Sequence, residues 1–190
     1  MQIDLIDSAV ALAGEHNTIA DAVLSALQSN GATVAAPLAT PDILLVSLPL
    51  IPGREVRADD ALEEARRVGQ AMGEKGRGRI LFLYSAFAGL PVRRHPQYSA
   101  QMSAAQAGMR ALAMELGPAV LVNGLGVGCI EEPAIAGEAI MVGHAGLPRA
   151  GTVAEVVGAA LFLCDPLNSY TTGQTLNVDG GWIVGYGRNF

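Results

Sequence analysis

Two hydroxyl side chains, those of Ser85 and Tyr98, are the groups in this sequence whose type and spacing could do chemistry. Ser85 ends the apolar run RILFLYS, and Tyr98 opens a helical pattern, so the two hydroxyls could hydrogen-bond to one ligand oxygen. An unperturbed tyrosine has a pKa of about 10, so only about one molecule in a thousand is tyrosinate at pH 7. Met102, one helical turn after Tyr98, carries a thioether with no positive charge and no hydrogen-bond donor. The alternative interpretation is that both hydroxyl residues serve packing.

Other polar residues give no comparable pattern. His16, His95 and His144 lack the spacing of metal ligands, and no histidine stands near Ser85 in the manner of a catalytic triad. The basic run RRH at 93–95 could hold an acidic group or form a solvated turn. A net charge of −6 and a pI near 5.0 argue against a nucleic-acid partner, which calls for a basic face.

The 190 residues suit a single domain that spans 1–190. Only 16% of the residues are charged and 51% are apolar, so we expect another subunit to cover part of the surface. The apolar stretch 43–51 is too short to cross a bilayer, and no leader pattern opens the chain, which favours the cytoplasm and no membrane contact. Cys129 and Cys164 lie in apolar runs and are predicted to be reduced core residues.

The elements that must position Ser85 and Tyr98 alternate between short apolar runs and helical patterns, which predicts a layered α/β sheet. Strands are predicted at 8–14, 42–48, 79–85, 119–125 and 174–181, with a possible strand at 31–36. Helices are predicted at 18–30, 59–76, 98–116 and 152–165. One connection is too short, because parallel strands need a crossover of a dozen or more residues and only 37–41 separates two of the runs. Whether residues 32–41 keep a sheet strand therefore stays open.

From residue 79 onward the sequence resembles the short-chain dehydrogenase/reductase family, through RILFLYSAFAG, Tyr98, VLVNGLGVGCI, LPRAGTVAEVV and SYTTGQTLNVDGGW. The resemblance implies a doubly wound, Rossmann-like parallel sheet with its site at the carboxyl ends of the strands. In active members a serine and a tyrosine bind the substrate oxygen, and a lysine four residues after the tyrosine lowers its pKa and holds the nicotinamide ribose. Ser85 and Tyr98 match the first two residues, and Met102 stands in place of the lysine.

The glycine-rich loop of the family, which brings backbone to the pyrophosphate at a helix N-terminus, is degenerate here. Its turn reads GEHNTIA: Gly14 fits the first glycine, while Thr18 and Ala20 replace the other two and are expected to crowd the approach. Glu15 adds negative charge at the position of the phosphates. The stretch 35–41, where the family reads the adenosine ribose, has no charged residue.

Further family features are missing. The segment between the second and fourth family strands is absent, which shortens the sheet, and SLPL at 47–50 replaces the Asn-Asn-Ala-Gly segment. Val127 and Gly128 replace a Pro-Gly turn, and Glu132 falls near the threonine that holds the carboxamide. The resemblance with these losses predicts a chain that binds no NAD(P) cofactor.

Helices 59–76 and 98–116 correspond to the pair that family members use to form a four-helix interface between subunits. The second is rich in small residues that permit close approach, namely Ala100, Ala104, Ala105, Ala107 and Gly108. The leading hypothesis is a catalytically silent subunit that forms a homo-oligomer, or a hetero-oligomer with an active relative. One alternative is a cofactor-independent lyase, isomerase or dehalogenase that uses Ser85 and Tyr98, and another is a ligand sensor. The aromatic tail with Trp182, Tyr186 and Phe190 is expected to dock on a neighbouring subunit.

Overall fold

The computed structural model describes residues 1–131 and 134–184. Within these ranges the chain forms a parallel sheet in the order β2-β1-β3-β4-β5-β6, with helices on both faces. The strands are β1 (Ala9–Gly14), β2 (Thr33–Val34), β3 (Ile43–Ser47), β4 (Gly78–Ser85), β5 (Val120–Val127) and β6 (Thr175–Val178). The helices are α1 (Thr18–Ser29), α2 (Ala58–Lys75), α3 (Pro96–Leu116), α4 (Ile140–His144) and α5 (Val153–Cys164). The predicted doubly wound α/β fold is confirmed, and α4 is the element that the sequence patterns did not indicate.

The position of β2 in the sheet explains why the connection between β2 and β3 can be so short. The predicted strand at 31–36 shrinks to Thr33 and Val34, which pair with Ala9 and Val10 at the amino end of β1. The chain then crosses beneath β1 and enters β3 on its other side, where Val10 pairs with Ile43. Because β2 ends level with the start of β3, the chain needs no helix to return along the sheet. The possible strand at 31–36 is thus reduced to two paired residues, which answers the question that the sequence left open for residues 32–41.

Two buried clusters fill the space between the sheet and its helices. One contains Met72 of α2 and Met109 of α3, and the other contains Val23 of α1 and Val156 of α5. Strands β3 and β4 contribute alternate side chains to both clusters, as expected for strands covered on two faces. Trp182, which was expected to dock on a neighbouring subunit, is 5% exposed and packs against Phe87 of its own chain, whereas Val184 is 85% exposed. Tyr186 and Phe190 lie outside the described residues.

The small residues of α3 divide between two roles. Ala105 is fully buried, and a side chain at Gly108 would clash with Leu62 of α2, so both serve packing inside the chain and not an external interface. The other small residues form an exposed row along the outer face of α3, continued by a methionine: Ala100, Ala104, Ala107, Ala111 and Met114. Arg66 of α2 and Glu115 of α3 are joined by an ion pair of 2.8 Å. We call the exposed row on α3 the alanine face.

No helix among the described residues combines the length and the apolar character needed to cross a membrane.

Candidate functional site

The carboxyl ends of β1, β3, β4 and β5 converge at the edge of the sheet where α/β proteins of this class place their ligands. Ser85 is the last residue of β4, and Tyr98 lies in the first turn of α3. The structure therefore brings the two predicted hydroxyl residues to one place, and the nearby Ser85 hydroxyl acts to lower the pKa of Tyr98. Both residues are buried, with Ser85 0% and Tyr98 6% exposed, which leaves little room for a ligand oxygen between them.

The Tyr98 hydroxyl is already engaged, because it donates a hydrogen bond of 2.6 Å to the carbonyl oxygen of Pro49. Its ring packs edge-to-face on Phe87, with ring centroids 5.9 Å apart. Burial raises the pKa of Tyr98 far above its usual value; the Ser85 hydrogen bond offsets only part of this effect, and the charge of Glu15 adds to it. A tyrosine in this setting is a neutral structural donor at physiological pH.

Met102 is fully buried one turn farther along α3, in the cluster with Met72 and Met109. Its sulfur accepts a weak hydrogen bond of 3.4 Å from the backbone N–H of Ser85. The Ser85 hydroxyl accepts at 3.3 Å from the N–H of Phe87, where it caps a short 3-10 turn. The thioether therefore fills the apolar space behind Ser85, and Met102 supplies no positive charge to the tyrosine.

The segment after β3 crosses in front of the two hydroxyl residues and is tied down at successive positions. The Leu48 N–H donates to Leu83 O at 2.9 Å, and Leu50 O accepts from the Gly137 N–H at 2.9 Å. Pro49 between them accepts the Tyr98 hydroxyl. Leu48 and Leu50 are 2% and 3% exposed, so both side chains are buried. We call residues 48–50 the plug, because they occupy the approach to Tyr98 with the chain's own atoms.

The polar groups of the turn after β1 are also bonded within the chain. A side chain at Gly14 would clash with Ser47 O, and Gly14 has a φ of +92°, so glycine is required there. Asn17 caps α1 by accepting hydrogen bonds from the N–H groups of Ile19 and Ala20, at 3.1 and 2.9 Å. Its amide also donates to the Ser47 hydroxyl at 3.1 Å. The groups that a phosphate would bind are thus satisfied by a side chain of the protein.

The sequence analysis missed Asn17, although an asparagine directly before a helical pattern is a typical N-cap signal. It also predicted that Thr18 and Ala20 crowd the approach. Ala20 is instead 0% exposed and belongs to the cluster beneath α1, while Thr18 is exposed. The obstruction at this helix end therefore comes from the cap and not from Ala20.

Acidic side chains line the crevice between β1, β3 and α2, which has a volume of about 410 Å³. Its charged residues are Glu15, Glu55, Asp60, Glu64 and Arg57. Glu64 is paired with Arg67 at 2.6 Å and Glu15 with Arg54 at 3.0 Å, so the four carboxylates and the three arginines that contact them leave a local formal charge of −1. This balance gives no attraction for an anionic ligand such as a dinucleotide.

The basic run at 93–95 precedes α3, and His95 pairs with Glu138 at 2.6 Å. Arg93 and Arg94 are exposed, as in a solvated turn. Within 1–131 and 134–184, no three His, Cys, Asp or Glu side chains are grouped so that they could hold a metal ion. Glu132 lies outside the described residues.

Residues 55–183 match a protein-family model described as enoyl-(acyl carrier protein) reductase. The galactitol 2-dehydrogenase (L-tagatose-forming) of Cereibacter sphaeroides is 35% identical over 143 residues, which cover 68% of this chain and 55% of that protein. The 7alpha-hydroxysteroid dehydrogenase of Escherichia coli K12 is 32% identical over 123 residues, which cover 61% of this chain and 48% of that protein. The chain spans about half the length of the curated relatives it matches.

Solved structures agree on the fold. A gluconate 5-dehydrogenase from Burkholderia cenocepacia, in complex with NADP and tartrate, superposes with a TM-score of 0.79 at 20% identity. That match covers 96% of this chain and 97% of the other. A 3-oxoacyl-[acyl-carrier protein] reductase from Brucella melitensis, with bound NAD, gives a TM-score of 0.78 at 21% identity and covers 95% and 92% of the two chains.

Proposed function

The chain belongs to the short-chain dehydrogenase/reductase family, and from that premise we propose that it is a catalytically silent subunit that binds no NAD(P). The observation that carries this proposal is the hydrogen bond of 2.6 Å from the Tyr98 hydroxyl to Pro49 O. A tyrosine that must donate to or take a proton from a substrate cannot also hold the backbone of its own chain. Since burial raises its pKa and Met102 supplies no cation, Tyr98 lacks both a free hydroxyl and an activator.

The residues around the crevice do not fit a dinucleotide. Asn17 caps the N–H groups of α1, and Leu50 of the plug fills apolar space at the carboxyl ends of the strands. Arg57, the basic residue in the lining of the crevice, is already shared between Glu55 at 3.0 Å and Asp60 at 3.8 Å, so it is not free to bind a pyrophosphate. These features support the absence of NAD(P) binding through steric, hydrogen-bonding and electrostatic effects that act at different atoms.

The alanine face supports the proposal that the chain works as a subunit, associating with itself or with an active member of the family. Its residues recur every three or four positions along α3, which places them in one row on the helix. Small side chains let a second helix approach closely, and Met114, 88% exposed, adds a large apolar contact. Such a surface is more easily explained by contact with another chain than by contact with water.

A cofactor-independent enzyme is the second candidate, favoured by the proximity of Ser85, at the end of β4, to Tyr98, in the first turn of α3. For this function the plug must leave Tyr98 so that its hydroxyl can reach a substrate. The candidate therefore predicts that Tyr98→Phe abolishes an activity, whereas the silent-subunit proposal predicts an effect on stability alone.

The deciding experiment combines nucleotide titration with native mass spectrometry of the chain co-expressed with an active family member. We expect no heat of binding with NADH or NADPH at millimolar concentration, and a stoichiometric assembly. Ala104→Glu on the alanine face should dissociate that assembly, because it places a charge in a close helix contact. Ser25→Glu on the exposed face of α1 adds the same charge elsewhere and should have no effect. Saturable binding of NADH or NADPH, or an assembly unaffected by Ala104→Glu, would contradict the proposal.

A further inference from the structure

A further cavity lies between the loop after β3 and the start of α3. It has a volume of about 760 Å³, which falls in the range of about 300–1,000 Å³ that is usual for small-molecule sites. Residues 53–56 form one wall, and residues 94–98 with Ala100 and Gln101 form the other. Its lining shares only Glu55 with the crevice between β1, β3 and α2, so the two are separate spaces. We call it the Arg94 cavity.

One charged side chain in the lining of the Arg94 cavity is left without a partner. Three others are held in ion pairs, namely Arg54 with Glu15 at 3.0 Å, Glu55 with Arg57 at 3.0 Å and His95 with Glu138 at 2.6 Å. The side chain of Arg94, in contrast, forms no ion pair or hydrogen bond with the residues that the structure describes. Its guanidinium has five N–H donors and a permanent charge, and all of them are available to a ligand.

Two carboxamides in the same lining add neutral hydrogen-bond donors. Gln101 Oε1 accepts a hydrogen bond of 3.0 Å from the Ala58 N–H, which fixes the amide orientation and leaves Nε2 as a donor. Gln97 lies four residues earlier, hence one turn away on the same side of α3, and its side chain forms no hydrogen bond within the described part of the chain. A free guanidinium beside amide donors suits a carboxylate or a phosphate.

The rest of the lining is apolar and favours a ligand with a hydrocarbon part. Val56 is partly buried and packs against the cluster that contains Met72 and Met109. Pro96, at the start of α3, and Tyr98, whose hydroxyl bonds Pro49 O, line the same space. An exposed arginine in a turn has water as its usual partner, and an anion of a few atoms would leave most of the cavity to water. Apolar walls around Arg94 therefore distinguish the cavity from a solvated turn.

We propose that the Arg94 cavity binds a small organic anion. Its carboxylate or phosphate would be held by Arg94 and the amides of Gln97 and Gln101, and its apolar part would lie against Val56 and Pro96. Such a ligand needs neither the crevice nor the Tyr98 hydroxyl. The inference goes beyond the proposed function, because it assigns a ligand to a chain for which neither a cofactor nor a substrate is proposed.

The test titrates the purified full chain with aliphatic probes and follows its backbone amide signals by two-dimensional NMR. Hexanoate and hexyl phosphate carry an anionic group and an apolar chain, hexanamide has the chain without the charge, and acetate has the charge with almost no chain. We expect saturable binding of hexanoate or hexyl phosphate, with the largest shifts in residues 94–101. Hexanamide and acetate should bind at least about tenfold more weakly than the better anion. A preference between the two anions would distinguish a carboxylate ligand from a phosphate.

Matched variants separate the cavity from general attraction of anions to arginine. Arg94→Gln and Arg110→Gln each remove one positive charge at an exposed position, and neither arginine forms an ion pair with the described residues. Arg110 lies outside the lining, about 21 Å farther along α3 than Pro96, which exceeds the screening length in physiological salt. Arg94→Gln should weaken binding of the better anion about tenfold or more, because a charge-assisted hydrogen bond is lost. Arg110→Gln should change it less than about twofold.

Three results would each overturn the Arg94 cavity as an anion site. They are equal weakening by the two variants, equal affinity for the better anion and hexanamide, and no saturable binding of either long anion up to about 10 mM. The outcome is independent of the silent-subunit proposal, because the titration involves no nucleotide and no partner chain. Arg94-dependent binding by a chain that forms no assembly would retain the anion site and contradict the proposed function. An assembly without Arg94-dependent binding would do the reverse.

Discussion

The two ends of the sheet differ in how completely they are built. Strands β4 and β5 each have eight residues and run beside each other along their whole length. Tyr84 of β4 reaches across Gly124 of β5 to bond Thr175 of β6 at 2.6 Å, which ties three strands together. At the other end β2 has two residues, and Val10 is the one buried residue among the six of β1. We call the end with β4, β5 and β6 the complete end and the end with β1 and β2 the reduced end.

The two ends also differ in how they treat polar groups. The complete end places the hydroxyl residues Ser85 and Tyr98 at the end of β4 and the start of α3. At the reduced end the chain satisfies its own polar groups through Asn17 and the plug. A scaffold can thus keep the geometry of two side chains while the chemistry around them is lost.

The largest effect is expected from Met102→Lys, which places a positively charged side chain one helical turn after Tyr98. Because Met102 is 0% exposed and surrounded by apolar side chains, the ammonium would be buried without a partner. We expect a loss of about 3 kcal/mol or more in the free energy of unfolding, measured by urea denaturation. The variant should show no NADH or NADPH oxidation, because the turn after β1 and the plug are unchanged.

Met102→Leu is the control for the change of side chain, and it should cost less than about 1.5 kcal/mol. A stable Met102→Lys variant that oxidises NADH would mean that the reduced end still binds a nucleotide. The contrast between the two ends of the sheet would then be lost.

Gly14→Ala tests how tightly the turn after β1 is closed. The added methyl group would clash with Ser47 O, and the backbone has a positive φ of +92°. We expect a loss of about 2–4 kcal/mol in thermal or urea unfolding. Gly53 has a similar φ of +96° but no atom within 4 Å, so Gly53→Ala isolates the backbone strain and should cost about 1–2 kcal/mol. Equal losses in the two variants would mean that the turn has room to relax.

Tyr98→Phe tests whether the hydroxyl is structural. The variant leaves Pro49 O without its donor, so we expect a loss of about 1–2 kcal/mol in the free energy of unfolding and unchanged assembly. Tyr170→Phe, at a fully exposed position, should leave stability unchanged within about 0.5 kcal/mol. A Tyr98→Phe variant of unaltered stability that loses a measurable activity would favour the cofactor-independent enzyme.

Local patterns were sufficient to predict most of the fold. Long apolar runs such as 79–85 and helices with clear periodicity, such as 59–76, were predicted to within a few residues, because burial on both faces and amphipathicity leave strong signals. The sequence left open whether 31–36 forms a full strand, because its length depends on pairing with β1, which is a tertiary property. The pairing also explains why a connection of a few residues is sufficient.

The site was predictable in its residues but not in their contacts. Ser85, Tyr98 and Met102 follow from spacing along the chain. The hydrogen bond from Tyr98 to Pro49 links residues 49 positions apart, and no periodicity reports such a pair. The double role of the small residues of α3 was also hidden, since Gly108 meets α2 while Ala107 faces outward, and only packing distinguishes them.

The smallest effect is expected at Asp42, which directly precedes β3 and is hydrogen-bonded to the first residue of β1. Its carboxylate accepts from Lys75 at 2.7 Å and from the Ala9 N–H at 2.9 Å, and Arg77 lies 3.3 Å away. Burial alone would raise the pKa of Asp42, but the hydrogen bonds and charges of Lys75, Ala9 and Arg77 together hold it below its usual value. The unfolded chain therefore binds more protons here than the folded chain as the pH falls below about 4.

The stabilisation from Asp42 is consequently complete above the unfolded pKa and is lost as the pH falls through the lower folded pKa. Asp42→Asn should flatten the pH dependence of the free energy of unfolding between about pH 5 and pH 2, measured by urea denaturation. Asp59→Asn, at an exposed position in the first turn of α2, provides the control and should keep the slope of the unaltered chain more closely. An equal change of slope in both variants would mean that Asp42 has no special part in joining β1 to β3. The reduced end would then depend on its backbone pairing alone, a weaker connection than the one that joins β4 to β6.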